Sequence, residues 1–275
     1  MTAGPGHTVS QVSLSSRQDT ETIIGPCVTI SVDDGSGPDL RTAELLHKYG
    51  LQATFYVPAR NPERPVLGPF QVREMAERFE IGSHTLNHTP LKSISDEQAS
   101  REIQEGKAWL EDVLGGSVIS FCYPRGKFNG KTPSLVKNAG FLGARTQLLN
   151  RRELPENPFL WGVTTHAVSH SKTIQVRHAL LEKNFAGMRN FFREYRALTD
   201  WQEHFSCALD RVREYGEIAH LTLHSWEIDD SGEWQKLESV FASISSCGMP
   251  TVTNGALYRR WVPPGLSPRP SAMAK

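Results

Sequence analysis

The chain has 275 residues, 38% of them hydrophobic, enough for one domain with a substantial core. Lysine and arginine number 30, as do aspartate and glutamate, so the net charge of zero leaves no electrostatic footprint for nucleic acid or an anionic membrane. No apolar run is long enough for a membrane span, and the first twenty-odd residues lack the apolar segment of a secretory signal, which points to a cytoplasmic protein.

Taken in chain order, residues 1–24 form a polar arm, residues 25–262 the folded domain, and residues 263–275 a proline-containing tail. The β-branched and small residues of Val28 to Val32 predict a buried strand. It ends in Asp33 and Asp34, and Gly35 then lets the chain turn. The two acids thus sit at a strand's C-terminal end, where parallel α/β folds build their sites. A helix follows from about Asp39 to Tyr49, stopped by Gly50, then a strand in LQATFYV and a helix in QVREMAERFE. The segment IGSHTLNH reads as a strand end carrying His84 and His88, four apart, so on a helical turn both rings project from one face.

Ser95 and Gln98 form a capping box ahead of a long amphipathic helix. SVISFCYP is a strand and PSLVKNAGF a helix ended by Gly140. Between Asn184 and Ala197 the residues Phe185, Met188, Phe191, Phe192 and Tyr195 give a helix an aromatic stripe, read as core packing, with a groove wall as the alternative. The alternation from Glu217 to Leu223 is a strand that delivers His224 at its C-terminal end, with His220 deeper on the same face and structural. Strand and helix alternate throughout, which predicts a parallel α/β sheet or barrel. Cys27, Cys122, Cys207 and Cys247 lack metal-type spacing and are expected as buried free thiols in a reducing compartment.

Two carboxylates and two imidazoles suit a metal. Zinc takes histidine nitrogen and carboxylate oxygen at ~2.0–2.2 Å, and catalytic sites typically offer three protein ligands. Four candidates leave one aspartate free to act as a base on water that such a metal acidifies. Neighbouring strand residues face opposite ways, so Asp33 and Asp34 differ in role.

In their order, SVDDG, SHTLNH, FCYPRG and LTLH resemble the successive motifs of the polysaccharide deacetylases, the NodB-homology group of carbohydrate esterase family 4. The resemblance is close over residues 27–146 and resumes over 217–230. It implies a distorted (β/α) barrel with a shallow groove, a divalent metal, most often zinc, and hydrolysis of an N-acetyl or similar acyl group. The substrate would be an amino sugar, an oligosaccharide or a glycosylated small molecule. Carried over by position, Asp33 is the catalytic base, Asp34, His84 and His88 are the metal ligands, and His224 is the general acid.

The third motif departs from the family's Arg-x-Pro-aromatic-Gly: this chain reads Cys122, Tyr123, Pro124, Arg125, Gly126. The guanidinium that orients the base would then come from Arg125 or Arg145, while the backbone N–H of Arg125 remains an oxyanion donor whatever its side chain does. The acid that tunes His224 is open between Asp200, Glu227, Asp229 and Asp230. His166 and His170 copy the ligand spacing, but no acid lies between them, so substrate contact is expected there rather than a second metal. The altered motif also keeps a non-sugar amide or cyclic imide in view as substrate. A catalytically idle sugar-binding relative would not need base, ligands and acid together.

Overall fold

The computed structural model describes residues 25–261. The arm expected over 1–24 and the tail over 263–275 lie outside them. In chain order the elements are β1 (Cys27–Asp33), α1 (Asp39–Lys48), β2 (Thr54–Val57), α2 (Pro69–Ala76), β3 (Glu80–Ser83), α3 (Asp96–Leu114), β4 (Ser120–Cys122), α4 (Thr132–Asn138) and β5 (Gly143–Arg145). There follow β6 (Thr165–His166), α5 (Lys172–Leu181), α6 (Phe185–Arg193), α7 (Trp201–Tyr215), β7 (Ile218–Leu223), α8 (Ser225–Ser231), α9 (Trp234–Ser246) and α10 (Asn254–Trp261).

The seven strands are all parallel, in the order β5-β4-β3-β2-β1-β7-β6. Helices cover the outside, so β1 and β7 are buried along their whole length, which is why they read as continuous apolar runs. The sheet curls into a distorted barrel. Its seam is the segment Trp161 to His166, whose start bridges Arg145 of β5 and whose end, β6, pairs with β7. Thr146 N–H donates to the Trp161 carbonyl at 2.7 Å and Thr164 N–H to that of His220 at 3.0 Å, so one stretch of backbone joins the two edges.

The N-terminal ends of the strands are plugged by α10. Asn254 Nδ2 donates to Tyr56 Oη at 2.8 Å, and Gly255 N–H to the Glu80 carboxylate at 2.8 Å. Tyr258 lies so close to Gly143 that a Cβ there would stand 2.2 Å from its ring. With that end filled, the C-terminal ends are left to carry the chemistry.

Local expectations are met where the signal is local. Ser95 caps α3, accepting from Gln98 N–H at 3.2 Å while Gln98 answers at 3.1 Å, and Gly115 ends the helix in the left-handed conformation. Where packing decides, the structure differs. α2 stops at Ala76, and Glu80 begins β3 instead of ending the helix. α6 ends at Arg193, before Arg196 and Ala197 turn left-handed, and its stripe divides: Phe191 and Tyr195 are buried, whereas Phe185 and Phe192 are exposed. Cys27 and Cys122 are buried and Cys207 and Cys247 partly so, all four as free thiols.

The segment with His84 and His88 is a loop rather than a helical turn, because Thr85 and His88 both take positive φ, 68° and 54°. α3 imposes that shape. Leu86 N–H donates to the Glu102 carbonyl at 3.0 Å, and the Glu102 carboxylate holds Asn87 through its N–H at 2.9 Å and Nδ2 at 2.7 Å. Gly106 lets the loop backbone press onto the helix: a Cβ there would lie 2.5 Å from the Thr85 carbonyl carbon and 2.6 Å from Leu86 N. Gly106→Ala is therefore expected to lower stability by ~1–3 kcal/mol through overpacking. Denaturant melts of the variant beside wild type measure this.

Candidate active site

Asp33 ends β1, and Asp34 follows with φ 81°, a left-handed turn that points the second carboxylate away from the first. Gly35 continues the turn with φ 62°, where any Cβ would meet Val57 Cγ1 at 2.8 Å. His84 follows β3 directly, and its Nδ1 lies 2.9 Å from the Cys122 carbonyl. A carbonyl only accepts, so Nδ1 carries the proton and Nε2 presents a lone pair. Burial lowers the pKa of this ring and keeps it neutral.

That lone pair faces Asp34. Asp34 Oδ1 stands 3.5 Å from His84 Nε2 and 3.0 Å from His88 Nε2, and the three groups are buried together. Trp226 Nε1 donates to Oδ2 of the same carboxylate at 2.9 Å, whereas Oδ1 is buried without a hydrogen bond. Two imidazole nitrogens and one carboxylate oxygen converging on one point, with that oxygen left over, fit a divalent cation of the zinc type.

Asp33 meets different partners. It is fully buried and forms an ion pair with the equally buried Arg145, which reaches it from β5 across the barrel. Gln147 Nε2 donates to Asp33 Oδ2 at 3.1 Å and the Cys122 thiol lies 3.7 Å from the same oxygen. Burial raises the Asp33 pKa, yet Arg145, His84 and His224 bring it below the ordinary value, so the carboxylate is ionised. Burial holds the Cys122 thiol neutral, with a pKa well above that of a free thiol.

His224, just past β7, brings Nε2 to 3.8 Å from Asp33 Oδ2, and its Nδ1 lies 2.7 Å from Glu227 Oε2, one helical turn on. Burial pushes this ring's pKa down, but Glu227, Asp34 and Asp33 outweigh it and raise it to about 9. Of the four acids considered, Glu227 is the partner of His224. Asp200 instead caps α7, with its carboxylate on Lys236. Asp229 accepts from Trp234 Nε1, and Asp230 lies 3.7 Å from Arg64. His220 is buried and its Nε2 meets Ser31 Oγ at 2.9 Å, a structural role. His166 and His170 do not form a chelating pair; their rings pack 5.8 Å apart, and His166 Nε2 turns instead to Glu227 and His224.

Between the two arginines the structure decides for Arg145. The Arg125 side chain is exposed and pairs with Glu63, so only its backbone belongs near the centre, in the turn Pro124–Gly126 where its φ is 55°. The next residue, Arg64, stacks 3.5 Å over the Trp226 ring. The loop after β2 is thus tied to the β4 side by Glu63 and to the β7 side by Arg64. Side chains of Asp34, His84 and His88 are 1–7% exposed, against 13–23% for His166, His224 and Glu227, so the His224 side is the more open.

Sequence reasoning missed Gln147 and Trp226. Both carried a signal: Gln147 lies two residues beyond Arg145 on the same extended run, and Trp226 is an indole donor two residues beyond His224.

Residues 21–144 match the sequence profile of the polysaccharide deacetylase family. Over 152 residues the chain is 29% identical to a peptidoglycan-N-acetylglucosamine deacetylase of Bacillus cereus, spanning 53% of this chain and 68% of that protein. Among solved structures, a protein of Mycobacterium smegmatis assigned to the polysaccharide deacetylases superposes with a TM-score of 0.61 at 17% identity, covering 91% of this chain and 96% of that one. The T48 deacetylase, solved with substrate, gives 0.53 at 17% identity over 86% and 92%. At such identities the solved structures speak for the fold.

The buried pair yields a stability prediction. Arg145→Met leaves Asp33 as an uncompensated buried charge, which should cost about 3–5 kcal/mol. Urea melts read this directly. A loss of under about 1 kcal/mol would mean that water or another group already neutralises Asp33.

Proposed function

We propose that this chain, whose residues 21–144 belong to the polysaccharide deacetylase family, is a metal-dependent hydrolase that removes an N-acetyl or similar acyl group from an amino sugar or a compact glycosylated molecule. The observation that carries the reading is the convergence of Asp34 Oδ1, His84 Nε2 and His88 Nε2, flanked by the ionised Asp33 and by His224. A divalent cation of the zinc type, when bound by those three, supplies Lewis acidity that polarises a carbonyl and makes water more acidic.

The chain's own groups account for the proton movements. Asp33, held ionised by Arg145 and fixed by Gln147, accepts the proton of the attacking water. His224, protonated at neutral pH, delivers a proton through Nε2 to the leaving nitrogen, which departs as an amine. Glu227 on its Nδ1 fixes the ring and stabilises the imidazolium. The backbone N–H of Arg125 is the proposed donor to the developing oxyanion. The 3.8 Å between His224 Nε2 and Asp33 Oδ2 places uptake and delivery on one small volume.

The tied loop after β2 and the approach from the acid side favour a compact N-acyl substrate or the end of an oligosaccharide over the middle of a polymer. The case for a non-sugar amide or imide rested on the altered third motif, and Arg145 supplies the guanidinium that motif lacks. Base, acid and three converging ligands on one surface argue against an idle binder.

Acetate release from a panel of N-acetylated sugars, before and after chelation and Zn2+ return, tests the reaction. Release that chelation abolishes and Zn2+ restores is expected; release indifferent to chelation overturns the metal role. Asp33→Asn should retain the cation and lose turnover, and His224→Ala should lower kcat by ~10²–10⁴. Because His224 is the acid and is protonated up to about pH 9, activity should fall as pH rises through that region. Glu227→Gln removes a raising charge, so the alkaline limb should move to lower pH; a limb that stays in place would separate Glu227 from the acid.

A further inference from the structure

We propose that His166, His224 and Glu227 form a second divalent-cation site, weaker than the first, whose occupation by Zn2+ switches the enzyme off. His166 ends β6 and lies beside Thr222 of β7 in register, so it stands next to His224, which follows β7 two residues later. Glu227 lies in the first turn of α8, three residues beyond His224, with its N–H bonded to the His224 carbonyl at 3.0 Å. The chain beyond His166 is fixed as well, by Ala167 N–H to the Thr222 carbonyl at 2.8 Å. Strand pairing and a helical turn therefore preposition all three groups.

Their atoms converge. His166 Nε2 is 2.9 Å and His224 Nδ1 2.7 Å from the same oxygen, Glu227 Oε2, and the two nitrogens lie 3.2 Å apart. As hydrogen bonds His224 Nδ1 must serve both Glu227 Oε2 and His166 Nε2, whereas a cation satisfies all three atoms at once. Ligands at ~2.0–2.1 Å around a tetrahedral ion stand roughly 3.3 Å from one another, so only a small opening is required. The donor set is the same as that of Asp34, His84 and His88. Two imidazoles select Zn2+ over Mg2+ or Ca2+, which prefer all-oxygen shells. Side-chain exposures of 13%, 17% and 23% leave an entry path and room for water ligands.

The inhibitory consequence rests on the reading of His224 as the acid. With Nδ1 on a cation, the ring loses its contact with a free Glu227 carboxylate and no longer carries the charge it must give up through Nε2. The site would couple turnover to free Zn2+ above the level that fills the first site.

Zinc stoichiometry, measured by equilibrium dialysis of the full chain with elemental analysis, tests the site without reference to activity. Wild type should bind two Zn2+ in two affinity classes. His166→Asn should keep only the tighter ion and His84→Ala should lose it, with thermal melts confirming that each variant folds; Glu227→Gln serves as a second variant on the weaker site. On the substrate found active, the ratio of turnover in excess Zn2+ to turnover at one equivalent should fall at least tenfold below unity in wild type and stay near unity in His166→Asn, with Mg2+ inert in both. One Zn2+ per chain in wild type and His166→Asn alike overturns the site while sparing the deacetylase reading. Two in both places the second ion elsewhere and likewise overturns it. No Zn2+ in wild type removes both. Two falling to one without a drop in that ratio keeps the cation site and overturns its inhibitory role.

Discussion

The ion pair between Asp33 and Arg145 is the constraint on which the rest depends. Both side chains are fully buried, one on β1 and the other on β5, so the bond crosses the barrel interior instead of following the sheet. A buried charge without its partner costs several kcal/mol, which holds the edge strand β5 opposite the interior strand β1 whenever the chain is folded. Arg145 is also the residue whose backbone bridges Trp161 at the seam. Closing the barrel and aiming the base are thus one event.

Around that pair the two adjacent aspartates take opposite parts. The second of them is itself left-handed, so that Asp33 faces Arg145, Gln147 and His224, and Asp34 faces two imidazoles and an indole. The first is an ionised carboxylate with a proton donor across from it. The second has one oxygen committed to Trp226 and one buried without a hydrogen bond beside two imidazoles. The distinction is made by direction of approach, since the side chains are chemically identical.

Much of this was legible in the sequence, for physical reasons. The strand before Asp33, the capping box at Ser95 and the strand before His224 each carry their signal within a few residues, and each formed. The HTLNH spacing misled because α3, through Glu102 and Gly106, bends that segment into a left-handed loop, and the spacing of two histidines says nothing of helix residues that come much later in the chain. Arg145 could be named as one of two candidates but not chosen, because only barrel closure brings β5 opposite β1. His166 was compared with its sequence neighbour His170, whereas its partners come from β7 and α8. Phe185 and Phe192 show the same limit: helical spacing gives a face, not what covers it.

Asp34, His84 and His88 lie before residue 89, while Arg145, Gln147, His166, His224 and Glu227 come later, and the stretch matching the family ends at residue 144, one short of Arg145. A chain emerging from the ribosome therefore exposes the converging trio first and the partners of Asp33 last. Until residue 145 arrives, Asp33 has no counter-ion and its strand carries a charge that resists burial. On the function proposed above, a half-made molecule holds Asp34, His84 and His88 but lacks the partners of Asp33 and all of His224, so hydrolytic competence would wait for the final strand.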